Sequence, residues 1–107
     1  MNGDRVDPEN LPQNPRYTPA LVQVRKQGPV YVADYQTLQS GWVRVTEWEG
    51  HRVKLPPHKV AAIREVRTET YGSRSDPEGL KVRVADDERR EQASADESAG
   101  MAVVADD

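Results

Sequence analysis

Residues 42–55 constrain this chain more than any other stretch. In Trp42-Val43-Arg44-Val45-Thr46-Glu47-Trp48 and again in His51-Arg52-Val53-Lys54-Leu55, apolar and polar side chains alternate. A period of two marks a strand with one buried face. The two segments are joined through Glu49-Gly50. A two-residue loop would oppose Val45 to Lys54 and Thr46 to Val53, mixing apolar and polar side chains on both faces. A three-residue loop, Trp48-Glu49-Gly50, puts Gly50 in the left-handed position of a bulged turn. It opposes Val45 to Val53, Val43 to Leu55, Arg44 to Lys54 and Thr46 to Arg52. Directly opposed residues share a face, and a slip of one residue turns every side chain over. Of the two registers, only the longer loop sorts apolar from polar, and it is the one predicted.

Other segments repeat the alternation. Val22 and Val24 share one face of a strand at about residues 21–25, followed by a turn at Gln27-Gly28-Pro29. A second strand over residues 30–35 puts Val30 and Val32 on one side and Tyr31, Ala33 and Tyr35 on the other. Leu38-Gln39-Ser40-Gly41 breaks it, and Pro56-Pro57 ends the strand that follows the hairpin. Residues 58–69 fit a helix, on the spacing of Val60, Ile63 and Arg67, or a strand. A tight turn at Pro57-His58-Lys59 and one strand from about Ala61 to Tyr71 is the expectation. Residues 72–79 form a turn-rich loop, and Leu80-Lys81-Val82-Arg83-Val84 a last strand with Leu80, Val82 and Val84 inward.

Five or six short strands at this spacing predict a mainly β fold, a small SH3-like or Sm-like barrel or meander with at most one short helix. The order of strands around Val60-Ala61-Ala62-Ile63-Arg64-Glu65-Val66 resembles the Sm and Hfq small-barrel pattern. The chain departs from it in lacking an N-terminal helix and a Lys-His motif at residues 57–60. Valine (14 residues) dominates the apolar side chains, whereas leucine has only 5, which suits strands better than a helical bundle.

The 107 residues carry a net charge of −3, unevenly spread. Residues 16–85 hold 12 basic and 7 acidic side chains; residues 86–107 hold 2 basic and 8 acidic. Three regions are expected: a Pro-rich extended arm (1–16), a small β domain (17–85) and an acidic disordered tail (86–107). About 65–70 residues then carry the core, a size at which self-association often adds stability, which suits a homo-oligomer. No apolar run is long enough to cross a membrane, and no secretory h-region opens the chain. Cysteine is absent, which excludes disulfides and thiolate metal sites. A cytoplasmic protein of bacterial or phage type is expected.

The predicted hairpin clusters Arg44, Arg52 and Lys54 on one face, with Trp42 beside them and His51 at the turn. Cations on a rigid sheet can hold phosphates, and an aromatic ring can stack a base. The same side chains also suit a plain solvated face, in which Glu47 and Glu49 offset the arginines and Trp48 anchors the turn. A second set, Lys59, Arg64, Arg67 and Arg74, depends on how residues 58–69 fold; a strand would put Arg64 and Arg67 on opposite faces. His51 and His58, with Asp34, Glu47 and Glu49, supply no third convergent metal ligand. No Gly-rich phosphate loop or nucleophile elbow occurs. The sequence therefore points to a non-enzymatic binding module without cofactor or metal. Its expected partner is nucleic acid or an acidic protein surface, with the acidic tail competing for the basic face. The other expectation is an assembly or adaptor protein that docks through its sheet edge and aromatic residues.

Overall fold

The computed structural model describes residues 5–95. Eight strands form three antiparallel sheets, and one helix follows them. The strands are β1 (Ala20–Val24), β2 (Gly28–Val32), β3 (Asp34–Thr37), β4 (Val43–Thr46), β5 (Arg52–Leu55), β6 (Val60–Glu65), β7 (Thr68–Gly72) and β8 (Leu80–Val84); the helix is α1 (Asp87–Ala95). The sheets run β2-β1-β6, β3-β4-β5 and β7-β8. The mainly β expectation holds. Among the described residues no sheet closes into a barrel.

The β4–β5 hairpin has the register that the alternation requires: Val43 faces Leu55, Arg44 faces Lys54, Val45 faces Val53 and Thr46 faces Arg52. The Glu47 N–H donates to the His51 carbonyl (2.8 Å) and the Gly50 N–H to the Glu47 carbonyl (2.8 Å), leaving a loop of Trp48, Glu49 and Gly50. Gly50 has φ of +97°, a conformation open to glycine and strained for other residues.

Two apolar cores lie on either side of β2. Val30 and Val32 join Val22, Val24, Val43, Val45 and Leu55 in one; Tyr31 and Ala33 join Val6, Leu11, Trp48, Val82, Val84 and Ala93 in the other. Only Ala33 separates β2 from β3, and there the face changes: Tyr35, of the same parity as Tyr31, packs on the first core. The Tyr35 hydroxyl also donates to Glu65 Oε2 (2.6 Å), tying the two three-stranded sheets together.

Several expectations require correction. The first turn lies at Arg25–Gln27, because Val24 pairs with Gly28 and Gln27 N–H donates to the Val24 carbonyl (3.0 Å). The single strand over 61–71 is two strands, β6 and β7, preceded by a 3₁₀ turn at Pro57–Lys59. The break falls where the Val66 N–H turns to the Pro19 carbonyl (2.8 Å) and the Arg67 carbonyl accepts from Ala85 (2.9 Å). Leu80 ends the β7–β8 hairpin and is 39% exposed, whereas Val82 and Val84 point inward as expected.

The termini depart further. The N-terminal arm is packed against the second core, with Val6 and Leu11 buried. Val6 N–H donates to the Trp48 carbonyl (2.7 Å), Leu11 N–H to the Val82 carbonyl (2.8 Å) and Val84 N–H to the Pro8 carbonyl (2.9 Å). Its prolines lack donors, but Val6, Leu11 and the carbonyl of Pro8 bond to the hairpin turn and β8. Residues 87–95, expected in a disordered tail, are helical. Asp86 Oδ1 accepts from the Glu88 N–H (2.8 Å), satisfying an orphan donor of the first turn. Ala93 is buried, and Arg5 donates to the carbonyls of Ala93 and Ser94, a cation at the negative end of the helix. The expectation for the rest of the tail falls on residues 96–107, outside the described residues.

Candidate nucleic-acid interface

The outer face of β3-β4-β5 carries two cross-strand rows. One is Gln36, Arg44 and Lys54; the next is Asp34, Thr46 and Arg52. Neighbouring strands lie about 4.8 Å apart, so the three cations form one patch. Arg44 is half-buried and donates to Gln36 Oε1, which fixes its guanidinium across the sheet. Arg52 and Lys54 are exposed on β5, an edge strand. Among the described residues none of the three has a carboxylate within ion-pair distance; the pairs that form are Lys81 with Glu78, Arg83 with Glu69 and Arg90 with Asp87.

Asp34 is the acidic group on this face. Its carboxylate accepts from the Thr18 N–H (2.8 Å). Burial pushes its pKa above the ordinary aspartate value; the Thr18 and Tyr35 N–H groups and the charges of Arg44 and Arg52 pull it back only in part.

The two tryptophans part company. Trp42 is 40% exposed and stands immediately before β4, two residues from Arg44. Trp48 is 1% exposed and meets the Tyr31 ring edge-on at 5.2 Å, so it anchors the turn and offers nothing to a ligand. His51 does not join the cations. It pairs with Glu47 across the turn, one residue out of phase with Arg52, and its Nδ1 is buried. Glu47, only 1% exposed, is not presented to solvent beside the cations.

The second basic set is only partly gathered. The break between β6 and β7 resets the alternation, and Arg64 and Arg67 line one groove of about 370 Å³ with Arg89. Arg74 is exposed in the loop after β7, and Lys59 sits in the 3₁₀ turn. Arg16 and Arg89 were not singled out from the sequence. The N-capping Asp86 followed by Glu, Arg, Gln and Ala was the available signal for the helix that carries Arg89. Among the described residues no group of three His, Asp or Glu side chains is placed to hold a metal ion, and no helix is long and apolar enough to cross a membrane.

Compared with known proteins, the chain matches no family model, no curated protein and no solved structure.

Proposed function

We propose that this chain is a non-enzymatic module that binds nucleic acid through the outer face of β3-β4-β5. Arg44, Arg52 and Lys54 contact phosphates there, and Trp42 offers a ring for stacking or apolar contact. The observation that carries this is the hairpin register, which sets Arg44 against Lys54 and brings Arg52 onto the same face, with no carboxylate at ion-pair distance among the described residues. Phosphate contact is electrostatic, so a fixed surface of unpaired cations is the chemistry it needs. The strand order β2-β1-β6 and β3-β4-β5, with β2 running into β3 and a 3₁₀ turn before β6, supports assignment to the SH3-like small barrels. In this reading the acidic residues of 96–107 compete with the ligand for the basic surface.

The test is a fluorescence titration of the full chain with labelled single-stranded RNA and with duplex DNA at two salt concentrations. Binding is expected to weaken steeply as salt rises. The triple variant Arg44→Gln/Arg52→Gln/Lys54→Gln should bind at least about tenfold more weakly at low salt. Equal binding by the variant, or no binding of either nucleic acid at low salt, overturns the proposal.

A further inference from the structure

Three surface grooves adjoin one another through shared walls. The first, about 430 Å³, is lined by Arg52 and Tyr17, with Arg5, Asp7 and Gly50 among the others. The second, about 380 Å³, is lined by Tyr17, Arg16 and Arg67. The third, about 370 Å³, takes in Arg67, Arg64 and Arg89 over an apolar floor of Leu21, Val66 and Ala85. Tyr17 is common to the first and second; Glu65, Val66 and Arg67 are common to the second and third. The path therefore leads from Arg52 on the hairpin face, past Tyr17, to the junction of β6 with α1.

The charges along this path are unequal. Arg16, Arg52, Arg64 and Arg67 have no carboxylate within ion-pair distance among the described residues. Arg89 lies over the Tyr31 ring at 5.6 Å, which leaves its charge uncancelled. Three carboxylates also line the grooves, and each already accepts a hydrogen bond within the fold. Asp7 takes the Glu9 N–H (2.9 Å), Glu65 the Tyr35 hydroxyl (2.6 Å) and Asp86 the Glu88 N–H (2.8 Å). A concave path with separated guanidinium groups, a half-buried tyrosine and apolar patches suits a flexible strand with unstacked bases; a rigid duplex presents a convex cylinder and keeps its bases paired.

We propose that the three grooves form one track for single-stranded nucleic acid, its phosphates meeting Arg16, Arg67 and Arg64 and one base stacking on Tyr17. This deepens the proposed function and rests on it: the strand enters from the β3-β4-β5 face at Arg52 and continues along the track. RNA and DNA single strands share the phosphate and base chemistry that the track recognises.

The experiment is fluorescence anisotropy of the full chain with oligonucleotides of about a dozen nucleotides, as single-stranded RNA, single-stranded DNA and duplex DNA of one sequence. Either single strand should bind more tightly than the duplex. The Arg64→Gln/Arg67→Gln variant, altered at two exposed positions, should bind single strands about tenfold more weakly, and its log-affinity against log-salt slope should be shallower by about 1.4. Tyr17→Leu should lose about fivefold or more in affinity, while Tyr17→Phe, which keeps the ring and the packing, should bind as the parent does. Tighter binding of the duplex, or single-strand affinity and slope unchanged in Arg64→Gln/Arg67→Gln, overturns the track. If the hairpin triple variant alone loses binding, the track fails and the broader function stands; absence of all binding removes both.

Discussion

The two cores are built differently. The first is composed of valines, one alanine and one leucine from β1, β2, β4 and β5, strands joined by short turns. The second collects Val6 and Leu11 from the arm, Tyr31 from β2, Trp48 from the hairpin turn, Val82 and Val84 from β8 and Ala93 from α1. One is closed by neighbours in sequence; the other needs both ends of the chain to meet. Local contacts form with little loop-closure entropy, whereas distant contacts must first offset it. The basic surfaces follow the same division. The Arg44-Arg52-Lys54 face depends on one hairpin, and the Arg16-Arg64-Arg67-Arg89 track on segments that only the second core brings together.

Trp48→Ala tests the difference between the two cores most directly. It should cost about 3–5 kcal/mol of unfolding free energy by urea denaturation, because it empties the centre of the second core. Trp42→Ala, on the exposed side, should cost less than about 1 kcal/mol. Similar losses in the two variants would contradict the division of the tryptophans between core and surface. Leu11→Ala should cost about 2–5 kcal/mol in the same assay, as expected for an arm that belongs to a core. A negligible change would return the arm to a loose attachment.

Smaller effects test the hairpin. Gly50→Ala should cost about 1–2 kcal/mol, since an added Cβ is strained at positive φ. Asp34→Asn should give the smallest change, visible as pH dependence. The Asp34 pKa is raised on folding by burial, so the native state holds its proton more readily than the unfolded chain. Its contribution to stability is fully present below the unfolded value and is lost as pH rises through the folded value. Thermal melts from acid to neutral pH should show the parent losing stability relative to Asp34→Asn across that window. The opposite slope would mean that the Thr18 bond and the charges of Arg44 and Arg52 outweigh burial.

Much of the first core was legible because strand alternation leaves few choices. Val22, Val24, Val30, Val32, Val43 and Val45 all pack where the period of two places them. The packing of the arm was not legible. Its prolines and charges match a solvated segment, and only two described apolar residues among 5–16, Val6 and Leu11, report its burial. The helix was obscured because, among its described side chains, only the small Ala93 is buried, and it lies against the core through polar contacts of Arg5 and Arg90. Leu80 illustrates the converse: its pattern matches Val82 and Val84, but it lies at the last pair of a hairpin, where the sheet ends.

By itself, then, the sequence determined the β class, the Val45–Val53 register and the grouping of Arg44 with Arg52 and Lys54, since each follows from local alternation and a turn that admits only certain loop lengths. Tertiary structure alone decided which tryptophan is buried, that the arm and α1 complete a second core, and that Arg16, Arg64, Arg67 and Arg89 line connected grooves. Those outcomes depend on segments far apart in the chain competing to cover one apolar surface, and no local period records which of them covers it.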